Sequence, residues 1–461
     1  MAYFFISAAH KSSGKTTLSI GLTAALRSRG LSVQTFKKGP DYIDPLWLTA
    51  ASGRPCMNLD FFTMDKEEIF NEFGRAMKDA EIGVIEGNKG LYDGLDLDGS
   101  NSNAALAGQL QAPVFLVIDA RGMTRGIAPL ILGYQAFDPD VRIAGVILNK
   151  VGGSRHEAKL CNVIKHYTDI PVVGSVHNAP ALVIDERHLG LMPSNETDLA
   201  LKKIAQLGEA IAEQVDIDRL LEISADVKTP AYEIPETVNQ AYAGLRIGYP
   251  RDQAFGFYYP GDLEKMRAAG VELVAFDTLH DAALPEIDAL FIGGGFPEMS
   301  MEALSANQSL RQGILAFIEQ GGPAYAECGG LMYLSRRLIW NEKSCDMVGA
   351  IPADVRMHER PQGRGYVRLQ ETASSPWPKL TDDSKTIAAH EFHYSALENI
   401  APGIEYAYRV TRGTGIDGTH DGIVYKNLLA SYTHMRDAGG NHWIQRFLAH
   451  VKQCKNKQLA H

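Results

Sequence analysis

Short apolar runs alternate with stretches of helical length along the first half of the chain. Tyr3-Phe4-Phe5-Ile6 predicts the first strand, and apolar residues on one face predict a helix from Leu18 to Arg29. Further apolar runs predict strands at 31–36, 82–85, 114–118, 143–148 and 172–176. Because strands and helices alternate, we expect a mostly parallel sheet covered by helices on both faces.

The same alternation resumes in the second half after an interruption. Periodicity fails from about residue 225 to 243, where a polar stretch punctuated by prolines is typical of an interdomain linker. Beyond it, strands are predicted at 245–249, 271–276 and 289–292, and a helix at 262–269. We therefore expect two α/β domains, residues 1–225 and 245–461, joined by a linker over residues 226–244.

A stretch of small and basic residues lies between the first predicted strand and the first predicted helix. Its sequence is Ala9-His10-Lys11-Ser12-Ser13-Gly14-Lys15-Thr16-Thr17. This is the setting of a phosphate-binding loop, although Ala9 stands where a glycine is usual. Backbone N–H groups would bind phosphate oxygens, Lys15 would reach the outer phosphates, and the Thr16 hydroxyl would bind Mg²⁺. A polar helix cap with a solvated lysine is the alternative.

Charged and amide residues follow three of the predicted strands. Lys37, Lys38, Asp41 and Asp44 come after the second strand, where ligands bind in open α/β sheets. Glu86 ends the strand 82–85 and is a candidate for holding Mg²⁺. Asn149 would read an adenine edge or cap the next helix, and the charged loop 186–191 is a candidate for substrate contact. Solvated turns are the alternative at each position.

Glycines and a cysteine follow two strands of the second half. Gly293-Gly294-Gly295 could form one side of an oxyanion hole. Cys328 lies between an apolar run and a helix-like run, which is the geometry that exposes a nucleophile. A buried, unreactive cysteine is the alternative. A thiol nucleophile needs a base, and four histidines remain open as candidates: His358, His390, His393 and His434.

Composition narrows the class of protein. The 461 residues are 45% hydrophobic and carry a formal charge of −10, which disfavours nucleic acid and anionic membranes as partners. No apolar run approaches the ~20 residues of a membrane helix, and the first residues do not resemble a signal peptide. The five cysteines form no Cys-x-x-Cys pair, so we expect a cytoplasmic protein without disulfides or structural zinc.

Seven motifs, in this order, resemble those of the cobyrinate a,c-diamide synthase family. They are the segments 12–17, 39–45, 90–94, 187–191, 293–298, 326–331 and 431–434. The resemblance implies an N-terminal P-loop domain with a doubly wound, mostly parallel sheet, similar to dethiobiotin synthetase. It also implies a C-terminal α/β domain of the class I glutamine amidotransferase type.

The resemblance also implies roles for individual residues. Cys328 would be the glutaminase nucleophile, His434 its base, and the backbone at Gly295 and Gly329 the oxyanion hole. Arg436 stands where class I enzymes usually carry the carboxylate that orients the base, so a Cys–His pair is expected. The implied ATP-binding residues are Ser12, Ser13, Gly14, Lys15, Thr16, Thr17, Lys37 and Asn149. The implied substrate-binding residues are Lys38, Asp41, Tyr42, Lys89, Asp93 and His188, and the implied Mg²⁺ ligands are Thr16, Asp41 and Glu86.

The expected activity is the amidation of tetrapyrrole carboxylates, with ATP and Mg²⁺ as cofactors and L-glutamine as nitrogen donor. Three positions differ from the residues that are common in the family: Lys38, Asn88 and Lys89. Because they lie in the predicted synthetase site, they leave the identity of the substrate open. Siroheme and sirohydrochlorin are therefore alternative substrates. The alternative of another class is a non-catalytic P-loop switch with a decayed second domain. A homodimer, in which the partner is a second copy of this chain, is left open.

Overall fold

The structure, a computed structural model, describes residues 2–184, 186–187, 190–191, 197–225, 227, 240–379 and 386–459. The chain divides into two compact units, Met1–Pro235 and Glu236–His461. Most of the predicted linker lies outside the described residues, so the domain boundaries stay predictions. Within the described part, no helix is long and apolar enough to cross a membrane.

The first unit alternates strands and helices, as the sequence predicts. Its strands are β1 (Ala2–Ala8), β2 (Val33–Lys38), β3 (Met57–Leu59), β4 (Ile82–Glu86), β5 (Val114–Asp119), β6 (Ile143–Val151), β7 (Val172–His177), β8 (Glu186–Arg187) and β9 (Gly190–Leu191). Its helices are α1 (Lys15–Ser28), α2 (Ile43–Ser52), α3 (Lys66–Met77), α4 (Asn103–Gln109), α5 (Ile127–Phe137), α6 (Ser154–Tyr167), α7 (Thr197–Gln214) and α8 (Ile217–Ala225).

Seven of these strands form one parallel sheet in the order β3-β2-β4-β1-β5-β6-β7. Most of the strands are nearly continuous runs of buried apolar residues, because helices cover both faces of such a sheet; β2, with the sequence VQTFKK, is buried but mostly polar. The central strand β1 ends at Ala8, and the predicted phosphate-binding loop follows it directly. The doubly wound parallel fold predicted for the first domain is therefore confirmed.

The second unit begins with the strands that the sequence predicts and continues with many that it does not. Its strands are β10 (Arg246–Pro250), β11 (Phe255–Phe257), β12 (Glu272–Phe276), β13 (Ala289–Ile292), β14 (Gly294–Gly295), β15 (Ala324–Glu327), β16 (Ser335–Trp340), β17 (Lys343–Asp346), β18 (Ile351–Met357), β19 (Gly363–Glu371), β20 (Ile387–His393), β21 (Ser395–Glu398), β22 (Glu405–Arg412), β23 (His420–Tyr425), β24 (Leu428–Ser431) and β25 (His434–Met435). Its helices are α9 (Pro260–Ala268), α10 (Met301–Ala306), α11 (Gln308–Glu319), α12 (Gly329–Leu334) and α13 (Trp443–Leu459).

The main sheet of the second unit has ten strands in the order β12-β10-β13-β15-β24-β23-β22-β19-β20-β25. Neighbours from β12 to β24 are parallel, and the remaining neighbours are antiparallel. Only Tyr432 and Thr433 separate β24 from β25, so the ends of these strands lie within about 11 Å. The antiparallel strands between them must therefore curl round and bring β20 close to β24.

A close contact between α12 and β13 generates a prediction about packing. A side chain at Gly330 would place its Cβ 2.3 Å from the carbonyl oxygen of Ile292. We expect Gly330→Ala to displace α12 and to destabilise the protein by about 1–3 kcal/mol, because backbone cannot yield as a side chain can. Differential scanning calorimetry of the full chain measures the effect.

Gly313→Ala is the matched control for this substitution. Gly313 lies inside α11, where the nearest atom to a new Cβ is 3.8 Å away. Alanine is favoured over glycine in a helix by up to about 1 kcal/mol, so this variant should melt at or above the wild-type temperature. Equal melting temperatures for the two variants would contradict the packing argument.

Candidate active sites

The loop between β1 and α1 carries the residues predicted to bind ATP phosphates. Ser12 and Gly14 have positive φ angles of 65° and 92°, and α1 begins immediately afterwards at Lys15. A Cβ at position 14 would lie 2.1 Å from Nδ2 of Asn149, so only glycine leaves this contact intact. The loop therefore places residues 12–17 together at the N-terminus of a long helix, where anions bind favourably.

Two residues at the end of β6 donate hydrogen bonds to backbone carbonyls of this loop. Asn149 donates from Nδ2 to the Ser13 carbonyl at 2.8 Å, and its Oδ1 accepts from the Lys150 amide. Lys150 Nζ donates to the Ser12 carbonyl at 2.9 Å. Asn149 does not cap α6, whose N-cap is Gly153. Its contacts are those of a loop support, and its role toward adenine stays a prediction.

A buried lysine and two carboxylates lie beside the loop. Lys37 and Glu86 are register partners at the ends of β2 and β4, and Lys37 Nζ lies 2.8 Å from Glu86 Oε1. Asp44, in the first turn of α2, lies 2.5 Å from the same ammonium. The Thr16 hydroxyl donates to Glu86 Oε1 at 2.7 Å and to Asp44 at 3.3 Å. We call Thr16, Lys37, Asp44 and Glu86 the acidic cluster.

Burial and neighbouring charges together set the pKa values of the two lysines near the acidic cluster. Burial alone would lower the pKa of Lys37, but the charges of Asp44 and Glu86 raise it above its ordinary value. Lys15 has a pKa lowered to about 8, first by burial and then by the charge of Lys37. Glu86 Oε2 is buried and has no hydrogen-bond partner among the described residues. The cluster thus holds one fixed cation and one unpaired carboxylate oxygen.

The predicted substrate-binding residues are distributed around the ends of β2 and β4. Lys38 is buried, and burial lowers its pKa to about 8; Asp60 opposes this shift and Lys89 adds to it. Asp41 Oδ1 accepts hydrogen bonds from the amides of Ile43 and Asp44 at the start of α2, whose N-cap residue is Tyr42. Tyr42, Lys89 and Asp93 lie in the same two loops, and Asp93 accepts from the Gly90 amide. His188 lies outside the described residues.

In the second unit, Cys328 occupies a sharp turn between β15 and α12. Its φ and ψ angles are 48° and −102°, a conformation that costs energy for a residue with a Cβ. Its amide donates to the Ser431 carbonyl at 2.7 Å, which fixes the turn to β24. The thiol is 6% exposed. This strained strand–turn–helix geometry is typical of an enzymatic nucleophile.

His434 lies next to this turn because β25 follows β24 so closely. The carboxylate of Asp421 accepts from the amides of Tyr432 and Thr433 and from the Thr433 hydroxyl, which holds the connection rigidly. Burial alone would lower the pKa of His434, but hydrogen bonds with Cys328 and Glu327, together with their charges, raise it to about 10. The imidazole is thus beside the thiol, where a base for a cysteine nucleophile has to lie.

The other three candidate histidines have different surroundings. His390 pairs with His434 across β20 and β25, and its pKa is lowered to about 3, first by burial and then by the charge of His434. His393 has Nδ1 at 2.8 Å from the Ser395 carbonyl and stacks on the Tyr432 ring at 3.9 Å. His358 follows β18, and its amide donates to the Tyr394 carbonyl. Among the four, the structure brings His434 to the thiol.

The glycine triplet packs tightly around Cys328 and His434. A Cβ at Gly294 would lie 2.6 Å from Cε1 of His434, and a Cβ at Gly295 would lie 1.9 Å from the Ala254 carbonyl oxygen. A Cβ at Gly329 would lie 2.9 Å from the Gly295 nitrogen. The Tyr258 hydroxyl holds the start of the triplet by accepting from the Gly293 amide. The backbones of Gly295 and Gly329 therefore converge, and their role as an oxyanion hole stays a prediction.

Sequence reasoning missed two residues of these sites. It considered Asp44 with Asp41 but selected Asp41. Asp44 contacts both Lys37, at 2.5 Å, and Thr16, whereas Asp41 lies 4.0 Å from Lys37. The signal was the position of Asp44 in the first turn of a helix after a strand. Glu327 was missed altogether, and its Oε2 lies 3.4 Å from Nδ1 of His434. An acidic residue at the end of a buried strand, directly before the predicted nucleophile, was the available signal.

Comparisons with known proteins agree with this two-site arrangement. Residues 5–192 match the family model described as the CobQ/CobB/MinD/ParA nucleotide binding domain, and residues 246–441 match that of the CobB/CobQ-like glutamine amidotransferase domain. The chain is 46% identical over 451 residues to a cobyrinate a,c-diamide synthase of Magnetococcus marinus, covering 96% of each chain. It is 40% identical to one of Methanosarcina acetivorans, covering 93% of this chain and 91% of that one. It is 39% identical to one of Archaeoglobus fulgidus, covering 96% of each.

Proposed function

This chain belongs to the cobyrinate a,c-diamide synthase family, and we propose that it amidates peripheral carboxylates of a cobyrinate-type tetrapyrrole with ATP and glutamine. The observation that supports the proposal is the presence, in one chain, of a glycine-containing loop at the N-terminus of α1 and of a cysteine in a strained turn beside a buried histidine. A carboxylate does not condense with ammonia at neutral pH, so the acid must first be activated. The two sites supply the two halves of that reaction.

The first unit would form an acyl phosphate. Residues 12–17 would bind the ATP phosphates, and the ammonium groups of Lys15 and Lys37 would stabilise charge on the transferring phosphoryl group. A substrate carboxylate oxygen would attack the γ-phosphorus, and ADP would leave. Lys37 is held in place for this role by Asp44 and Glu86, which also keep it protonated.

The acidic cluster fits Mg²⁺ as a cofactor. The buried Glu86 Oε2 lacks a partner, and the Thr16 hydroxyl and Asp44 lie beside it. No set of three or more His, Cys, Asp or Glu among the described residues could hold a metal by itself. That agrees with Mg²⁺, which takes one or two carboxylates and completes its shell with phosphates and water. Thr16, Asp44 and Glu86, with the predicted Asp41, would hold the ion, which would neutralise phosphate charge.

The second unit would release ammonia from glutamine. The Cys328 thiolate would attack the side-chain amide carbon, and backbone N–H groups of Gly295 and Gly329 would stabilise the oxyanion. His434 would give the proton it took from the thiol to the leaving nitrogen, forming ammonia and a thioester. Water would then hydrolyse the thioester to glutamate. Ammonia would attack the acyl phosphate carbon, giving the amide and inorganic phosphate.

The first prediction from this proposed function separates glutamine hydrolysis from the amidation of the substrate. Cys328→Ser should abolish glutamine-dependent amidation and leave ammonia-dependent amidation within about twofold, because the first unit needs only ammonia and the acyl phosphate. Mass spectrometry of amidated cobyrinic acid, with ATP and Mg²⁺ present, measures both. A glutamine analogue such as 6-diazo-5-oxo-L-norleucine should label Cys328 in the wild type. Without such labelling, the non-catalytic switch would be the better interpretation.

The second prediction from this proposed function concerns Asp44 as a ligand of Mg²⁺. Asp44→Asn should raise the Mg²⁺ concentration for half-maximal ammonia-dependent activity by about 10- to 100-fold, since it removes one anionic ligand. Asp65→Asn is the control, because Asp65 caps the distant helix α3 and asparagine caps equally well. If both variants need the same Mg²⁺ concentration as the wild type, Asp44 has no part in metal binding.

The third prediction addresses substrate identity through Lys38 and Lys89. Replacing either with alanine should raise KM for the tetrapyrrole and change the preference among cobyrinic acid, sirohydrochlorin and siroheme, while KM for ATP stays constant. The physical reason is that each ammonium can pair with a free carboxylate of the ring. Lys159→Ala, an exposed substitution on α6, is the control. An unchanged preference in both lysine variants would remove them from the substrate site.

A further inference from the structure

Glu327 is a buried carboxylate that directly precedes the nucleophile. It is the last residue of β15, is 2% exposed, and is the register partner of Ser431 in β24. Its Oε2 lies 3.4 Å from Nδ1 of His434, within ion-pair distance. Cys328 and Glu327 therefore reach the same imidazole from consecutive positions of one turn.

The other carboxylate oxygen of Glu327 is fixed by two donors. The Tyr325 hydroxyl donates to Oε1 at 2.5 Å, and the Met435 amide donates to the same oxygen at 2.8 Å. Tyr325 lies two residues earlier in β15 and so on the same face of the strand. With Oε1 occupied from two elements, Oε2 is held toward the histidine ring. Glu391, another buried carboxylate, instead accepts backbone amides at both oxygens, from Thr414 and Gly415.

We propose that Glu327 is the positioning residue of the glutaminase, orienting His434 from the position before the nucleophile. Arg436 stands two residues after the base, and its guanidinium lies 5.1 Å from the centre of the Tyr259 ring. The carboxylate that class I enzymes usually carry after the base is thus supplied here by the strand of the thiol. This inference rests on the proposed glutaminase activity of the second unit.

The chemistry of the pair follows from the geometry. Glu327 Oε2 faces Nδ1 of His434 at ion-pair distance, so it favours a proton on Nδ1 and leaves Nε2 for the sulfur of Cys328. His434 takes the thiol proton at Nε2 and later delivers it to the leaving ammonia nitrogen, while Glu327 stays ionised throughout. The titratable groups that face the His434 ring among the described residues are Glu327 and Cys328, from the turn after β15, and His390, from β20.

The test uses Glu327→Gln in the full chain, with Glu327→Asp as the variant that keeps the charge. The probe is iodoacetamide, and the readout is the rate of Cys328 alkylation from pH 5 to 10, resolved by peptide mass spectrometry. Loss of the carboxylate destabilises the imidazolium, so the Gln variant should shift the alkylation midpoint upward by about 1–3 pH units. The Asp variant should return the midpoint toward the wild-type value. Asp354→Asn, which replaces a buried carboxylate paired with Arg336, should leave it unchanged.

Steady-state kinetics provide a second readout. Glu327→Gln should lower glutamine-dependent kcat by at least about 100-fold with little change in KM, as loss of the orienting carboxylate does in a serine protease triad. Ammonia-dependent activity should stay at the wild-type level. A Gln variant with the wild-type alkylation profile, or an Asp variant shifted as far as the Gln variant, would overturn the proposal.

A third measurement does not depend on whether the Glu327 variants fold. In ¹⁵N-histidine-labelled Cys328→Ser protein at pH 8, NMR should show Nδ1 of His434 protonated. A proton on Nε2 with a bare Nδ1 would overturn the proposal. This result is separate from a test of the proposed glutaminase function. If the Cys328→Ser protein still used glutamine, that function would be refuted, whichever nitrogen of His434 carries the proton.

Discussion

Both sites depend on the register of adjacent parallel strands. In the first unit, the pairing of β2 with β4 places Lys37 opposite Glu86 at the carboxyl edge of the sheet. In the second unit, the pairing of β15 with β24 places Glu327 opposite Ser431, and the Cys328 amide then bonds to the Ser431 carbonyl. Because side chains alternate between the faces of a strand, a shift of one residue would separate these groups. The chemistry therefore follows from hydrogen bonds between backbones.

Buried charges around these strand ends are each matched by fixed donors or by an opposite charge. Lys37 lies between Asp44 and Glu86, while Asp421 accepts hydrogen bonds from three backbone amides and a hydroxyl. An unmatched buried charge would cost several kcal/mol, so each partner is required once the other is present. These networks keep the loops after the strands in one conformation. Residues such as Asp421 thus influence the site through the backbone they hold.

Much of the parallel architecture could be predicted from the sequence, because each strand of a covered parallel sheet is a continuous apolar run. The β strands from β16 to β23 could not, because edge and half-exposed strands mix polar and apolar residues without a clear period, as in Gly363–Glu371. Nor does the sequence predict that β24 ends at Ser431 and that His434 begins another strand after two intervening residues. Strands that pair with partners far away in the chain leave no local sequence pattern from which the pairing could be predicted.

The same limit explains which site residues escaped prediction. Cys328 and the loop 12–17 are recognisable because their chemistry needs neighbouring residues of given types. Asp44 and Glu327 contact the side chains of Lys37 and His434, and these contacts exist only after folding.

Only two residues connect β24 to β25, and this short connection determines where His434 lies. His434 is joined covalently to one strand of the curled sheet and hydrogen-bonded to the far one, β20. His434 therefore bridges the two ends of the curled sheet, and a separation of those ends would move its imidazole away from Cys328.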